Sequence, residues 1–398
     1  MLFKQRLEDF VVREEIEAPF QDSGPYALYR VTKKGITTFQ AHIRLASTLG
    51  LSPSEVVFPG LKDRKAIAIQ YASVRGKGPE EISGNGFSAQ LVGSLSRHLR
   101  PSDIKGNHFT ITLRNLPRGK EASIAQAIGQ VKRYGLPNYF DRQRFGSYIP
   151  GEGFIGKKIL ERDAEGALRI YICCPFPVDR AAYRAFKEKA AKDWGNWEKL
   201  LQDAPSPSNL RSLLTFLKDH PYDFRKALNL IPPRLLSLFL SAYQSWLWNK
   251  LAGRYLKGIF ARQKLAFIEL SIADEKLPFY LSLPDDLLDA LREKKVPFFH
   301  HRAVFDDPIM AQIAGQILTE EGLELRDFKA RILKRAYLSK GERPLLLFPR
   351  EFRWRLEKDE TKPKEQKLVL EFFLPPGSYA TLVVKAIALR VQQPDSLG

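Results

Sequence analysis

The chain runs in two hydrophobic rhythms, and a change of rhythm predicts a change of architecture. Residues 66–74, AIAIQYASV, have a period of two. Ile67, Ile69 and Tyr71 fall on one face and Ala66, Ala68, Gln70 and Ala72 on the other, as in a half-buried strand. Asn107–Arg114 repeats the pattern through Phe109, Ile111 and Leu113, and Asp9–Val12 predicts an early strand. Phe39, Ile43, Ala46 and Leu49 take helical spacing, with Thr37 and Thr38 as N-cap residues and Gly50 as the stop. Ile124, Ile128 and Val131 predict an amphipathic helix over Glu121–Tyr134, ended by Gly135 and Pro137. Gly76–Gly86, rich in Gly and Pro, reads as a connector.

Beyond about Pro150 helical patterns dominate: Arg180–Lys192, Asn209–Lys218, and a long Pro233–Leu256 with Pro233 in its first turn. Asp203–Ser208, DAPSPS, reads as a loop, and Pro284–Lys294 as a short helix whose acidic start suits the helix dipole. Near Pro344 strands return. Lys367–Leu374 puts Leu368, Leu370, Phe372 and Leu374 on one face, Pro375-Pro376-Gly377 turns the chain, and Thr381–Arg390 is apolar again, as in a closing hairpin. This order predicts an α+β fold. Residues 1–150 with 347–398 would form one domain, and 151–346 a mostly helical domain inserted into it. Two consecutive domains also fit, although a terminal hairpin on its own would be marginal.

Composition narrows the partner. Hydrophobic content of 44% and aromatic content of 11% indicate a globular chain of 398 residues. The net charge of +18 favours a polyanion, whose condensed counterions are released on binding. Charge alone admits nucleic acid or an anionic membrane, but no uncharged apolar stretch is long enough to span a bilayer. The nearest, Leu235–Asn249, carries Ser, Tyr, Gln and Asn and reads as a core helix. The charged N-terminus lacks the apolar core of a signal peptide. Cys173 and Cys174, the only cysteines, are adjacent, and read as buried thiols of a reducing cytoplasm. His300-His301 is the only histidine cluster, and no metal site is expected there.

Candidate chemistry sits just before the first clear strand, in FPGLKDRKA. Pro59-Gly60 marks a turn, and one carboxylate, Asp63, follows among Lys62, Arg64 and Lys65. A cation close to Asp63 favours its ionised form, which a carboxylate nucleophile requires. A solvated turn before a strand has the same composition, so these residues alone leave both readings open.

The string G-L-K-D-R-x-A-x-x-x-Q resembles the signature of the TruD family of tRNA pseudouridine synthases, whose aspartate is the catalytic nucleophile. Further strings similar to that family follow in order: LEDFVVRE around Phe10 with Lys4 before it, KKGITT from Lys33, GNHFTITLR from Gly106, LPNYFDRQRFG from Leu136, SAYQSWLWN from Ser241 and FFLPPGSYATLVV from Phe372. The resemblance covers most of the chain. It implies a pseudouridine-synthase catalytic domain, built on a mixed and largely antiparallel sheet, with a family-specific insertion making a cleft. It also implies a tRNA partner, typically modified at U13 of the D-arm, with no cofactor, no metal, no membrane and no obligatory protein partner.

By position in the matched strings, Asp63 is the nucleophile and Lys4 a lysine near it. Phe10, Asn138, Phe140 and Tyr379 match residues lining the pocket of the flipped base, where stacking is worth about 1–3 kcal/mol per base. Arg142 and Arg144 are expected on phosphate, and Lys334 and Arg335, in a basic stretch, are candidates for the same role. The reaction breaks the N1–C1′ bond of uridine and joins C5 to C1′, with attack at C1′ or at C6 left open. Three departures from the family pattern concern the surroundings of the pocket: Lys65 and Ala68 where His and Thr are frequent, Asp141 for Gly, and Lys385-Ala386 for Arg-Glu. A second reading is a non-catalytic tRNA chaperone of the same fold, and a third a synthase with another RNA target. An aspartyl hydrolase of small molecules is disfavoured by the charge and by the lack of a phosphate loop.

Overall fold

The computed structural model describes residues 2–177, 179–206, 208–335, 337–362 and 364–392. Two compact units make up the chain: Met1–Leu136 with the segment from Leu347, and Pro137–Leu346. Residues 137–150, grouped with the first domain by the sequence reading, belong to the second unit. There Tyr139 and Phe140 pack edge-on against Phe279 and Trp248.

Seven strands carry the first unit: β1 (Phe10–Ile16), β2 (Tyr26–Lys34), β3 (Ile67–Arg75), β4 (Phe87–Leu95), β5 (Ile104–Leu116), β6 (Arg350–Lys358) and β7 (Gln366–Leu374). Their spatial order is β6–β7–β5–β1–β3–β2–β4. All neighbours in this order are antiparallel except β1 and β3, which run parallel with Val11 opposite Ile67. That one parallel pair decides where chemistry can happen. It brings the segments entering β1 and β3 to one edge of the sheet, and the antiparallel β2 ends there too, with Lys33 opposite Ala68.

The period of two in β3 is present, but its inner face is the small one. Ala66, Ala68 and Ala72 are fully buried and Gln70 nearly so, while Ile67, Ile69 and Tyr71 are only half-buried. Ala72 and Val74 share a core with Leu45 and Ala46 of the helix Thr38–Thr48. Small side chains let that helix come close to the sheet. Thr37 caps the helix as predicted, accepting the Gln40 N–H while the Gln40 side chain accepts the Thr37 N–H.

Two sequence expectations change here. Within the supposed connector 76–86, Glu81–Gly84 forms a strand paired with β4. The segment after Pro375-Pro376-Gly377 is a helix, Ala380–Gln392, and not the second arm of a hairpin. Its β-branched residues suggest a strand, yet Val383, Ile387 and Val391 recur every four residues and all are buried. β7 instead lies between β5 and β6 inside the sheet.

The second unit is organised on the 31-residue helix Pro233–Gln263, which extends a further two turns past the predicted end. It is buried on nearly all sides, so its polar residues are satisfied individually. Gln244 donates to the carbonyls of Phe299 and Ser339, and Trp248 Nε1 to that of Val296. Gly156, on the helix Ile155–Leu160, lies against the backbone of Phe239. The other predicted helices are present as Ala181–Ala190, Asn209–Asp219 and Asp285–Arg292. Pro207 of the predicted loop lies outside the described residues. Cys173 is buried, which pushes its thiol up to about 12, and both cysteines are free thiols. Among the described residues no helix is long and apolar enough to cross a membrane.

Candidate active site

Asp63 stands in the loop that enters β3, and three lysines fix that loop. Lys4 Nζ donates to Asp63 Oδ2 at 2.6 Å. Lys33 Nζ donates to the Asp63 backbone oxygen at 2.5 Å and to that of Ile36 at 2.9 Å. Lys62 Nζ pairs with Glu14, whose other oxygen accepts the Tyr71 N–H at 3.1 Å. The Lys62 N–H is taken by Thr38 Oγ1 at 2.9 Å, tying the loop to the start of the helix above it. Gly60 fits this packing because a Cβ there would come within 2.9 Å of Ile104 Cδ1.

The two cations on Asp63 differ in kind. Lys4 is partly exposed, and the Asp63 side chain is 24% exposed, so the carboxylate can be reached from solution. Lys33 is fully buried; burial lowers its pKa to about 8, with Asp63 opposing the shift and Lys62 adding to it. An ammonium kept on two carbonyls inside a core costs free energy and fixes a backbone. Lys4 has a positive φ of 56°, unusual for a side-chain residue, which aims it back over the sheet edge. The turn after it is held by Asp9, which accepts the Arg6 N–H and pairs with buried Arg114.

Phe10 belongs to this cluster, but its ring is covered. It is 4% exposed, packs edge-on against Phe3 and Phe109, and lies 3.9 Å beneath the Lys4 ammonium. Tyr379, half-buried, precedes the helix Ala380–Gln392, and its carbonyl accepts the Leu382 N–H.

Asn138 and Phe140 are in the second unit and are brought together there by Arg343. The Arg343 guanidinium donates to the Asn138 carbonyl at 2.8 Å and to Asn138 Oδ1 at 2.7 Å, and lies 4.2 Å over the Phe140 ring. Asn138 Nδ2 donates to Pro344 O. Asn249, the last residue of SAYQSWLWN, brackets Phe140 by accepting its N–H and donating to its carbonyl, both at 2.8 Å. Asp141, where the family favours Gly, caps the turn Arg142–Phe145 with φ −93°, so no glycine is needed at that backbone.

Arg142 is exposed, with Nη2 on Ser271 O. Arg144 is half-buried, with Nε on Ser245 Oγ and its guanidinium 5.7 Å from Phe140. Lys334 and Arg335 are exposed on a bend, where the Lys334 N–H is taken by Asn229.

Sequence reasoning missed Lys33, Asn249 and Arg343. Lys33 had a signal: it shares strand parity with the core residues Tyr29 and Val31, so a lysine was due on the inner face. Arg343 had none, because Gly341-Glu342-Arg343-Pro344 looks like any polar turn.

A mixed sheet whose parallel pair carries a lysine-gripped aspartate to its edge, together with the comparisons below, defines a pseudouridine synthase. A family model described as tRNA pseudouridine synthase D (TruD) matches residues 1–266 and 293–387. A Methanococcus maripaludis protein named "Probable tRNA pseudouridine synthase D 1" is 32% identical, covering 97% of this chain and 99% of its own. The "tRNA pseudouridine synthase D" of Aquifex aeolicus is 25% identical over 96% and 97% of the two chains. A crystal structure from Methanosarcina mazei carrying the same family name superposes with a TM-score of 0.67 at 26% identity, over 97% of this chain and 92% of the other. The chain belongs to the TruD family.

Proposed function

We propose that the protein converts one uridine of tRNA, U13 of the D-arm, to pseudouridine, with Asp63 as the nucleophile. The observation that carries this is the grip on Asp63: one lysine on its carboxylate at 2.6 Å and another on its own carbonyl at 2.5 Å. A nucleophile must meet its carbon at a fixed distance and angle, and two charged hydrogen bonds to one residue fix both. The carboxylate attacks C1′ or C6, the N1–C1′ bond breaks, C5 of the turned base joins C1′, and the bond to Asp63 breaks to return the free carboxylate. The proton lost from C5 is matched by one gained at N1, so atoms and charge balance without redox chemistry.

The other residues serve the base and the backbone. Tyr379 offers a half-buried ring. Phe10 and Phe140 act as supports, holding Lys4 and Arg343 on their faces, and a guanidinium plane stacks on a base much as an aromatic ring does. Asn138 acts through Arg343. Arg142, Arg144, Lys334 and Arg335 take phosphates.

The test is Asp63→Asn, which keeps the shape and removes the nucleophile. Tritium release from C5-labelled uridine in tRNA should disappear, while tRNA binding stays close to wild type. Appreciable turnover in the variant would take Asp63 out of this role. Pseudouridine still present at position 13 in tRNA from a deletion strain would overturn the target.

A further inference from the structure

The second unit contains a cavity of about 410 Å³ that the proposed chemistry does not use. Its walls include Tyr171, Phe176, Leu238 and Phe239, with the Lys187–Asp179 pair among them and Arg144 also lining it. The polar pair is a built feature. Lys187 is almost fully buried, with Nζ 2.9 Å from Asp179 Oδ2 and 3.8 Å over the Phe176 ring. Asp179 also accepts the Phe176 N–H at 2.8 Å. Aromatic walls with one donor–acceptor pair suit a flat heterocycle that stacks on its faces and hydrogen-bonds along its edge. The volume falls within the usual range for small-ligand sites, about 300–1,000 Å³.

Arg144 says which heterocycle. Its Nε is held by Ser245 Oγ at 3.0 Å, and its two terminal nitrogens make no hydrogen bond among the described residues. The same guanidinium lies 5.7 Å from Phe140. One guanidinium therefore stands on the cavity with its terminal nitrogens available to a phosphate.

We infer that this cavity is a second nucleotide site, taking an unstacked nucleotide of the tRNA other than the target uridine, with its base between the aromatic walls and its phosphate on Arg144. This rests on the reading that the protein acts on tRNA. Capture of a second base would let the enzyme read more of the RNA than the uridine itself, since single-stranded RNA is recognised by splayed bases on aromatic surfaces.

The experiment uses a tRNA transcript that the wild-type protein modifies, with 2-aminopurine placed singly at positions other than the target. Leu238→Trp fills the cavity from a side chain that is 44% exposed, so the fold tolerates it. With wild type, one labelled position should change fluorescence on binding. With Leu238→Trp that change should vanish and kcat/KM should fall about five- to a hundredfold, the loss of one stacked base, while the melting temperature is kept. Wild-type conversion with no fluorescence change at any labelled position, or a Leu238→Trp protein with wild-type fluorescence and kcat/KM, would overturn the second site and leave the enzyme intact. A wild type that forms no pseudouridine in any tRNA would remove both readings.

Discussion

At the scale of single residues, Lys33 makes the sharpest demand on the protein. Its pKa is lowered from the usual lysine value to about 8, chiefly by burial. Between pH 8 and about 10.5 the unfolded chain holds a proton that the folded chain has lost. Stability therefore rises with pH across that window, and below pH 8 the buried charge is a full cost. A shift of this size corresponds to roughly 3 kcal/mol. Denaturant unfolding of wild type and Lys33→Met at several pH values should give a difference curve that moves in favour of wild type from pH 8 to 10.5. A flat difference would mean that Lys33 is not held as described. The same variant leaves the carbonyl of Asp63 without its donor, so turnover should fall about tenfold or more, in line with a lost hydrogen bond to a charged group. Asp63 itself was legible because its neighbours form a recognisable string. Lys33 and Arg343 were harder, since their importance comes from which carbonyl they reach.

At the scale of elements, alternation identified β1, β3, β5 and β7, passed over β2, β4 and β6, and misjudged what lay behind β3. In β3 the bulky face looked like the core face, but the helix Thr38–Thr48 packs on alanines because it lies close. In Ala380–Gln392 a β-branched composition masked a four-residue repeat. Close approach is equally hidden at Gly156, where a Cβ would stand 2.4 Å from the Phe239 carbonyl oxygen. Gly156→Ala should gain up to about 1 kcal/mol of helix propensity. It should lose more by forcing Ile155–Leu160 away from Pro233–Gln263, where overpacking costs about 1–3 kcal/mol. Net destabilisation in urea is expected, and a variant as stable as wild type would show that the two helices are free to separate.

At the scale of the whole molecule, a charge of +18 is a statement about affinity more than about fold. The stretch from Arg326 to Arg355 is rich in basic residues, yet they do not all face water. Arg343 is buried and spent on Asn138 and Phe140. Lys334 and Arg335 are different, being exposed on an irregular bend. If they contact phosphates, tRNA affinity should fall steeply with salt in wild type. The log–log slope should then shrink by about 0.7–0.9 for each contact removed in a Lys334→Ala, Arg335→Ala double variant. The change belongs in the slope and not in the chemical step, because phosphate contacts position the RNA without touching the reacting base. Binding isotherms over a range of salt concentrations, with single-turnover rates at saturating enzyme, separate the two. A near-zero slope in wild type would defeat the electrostatic account altogether. An unchanged slope in the double variant would clear this pair and leave Arg142 and Arg144, whose guanidinium groups flank the loop that carries Phe140, as the phosphate contacts to test next.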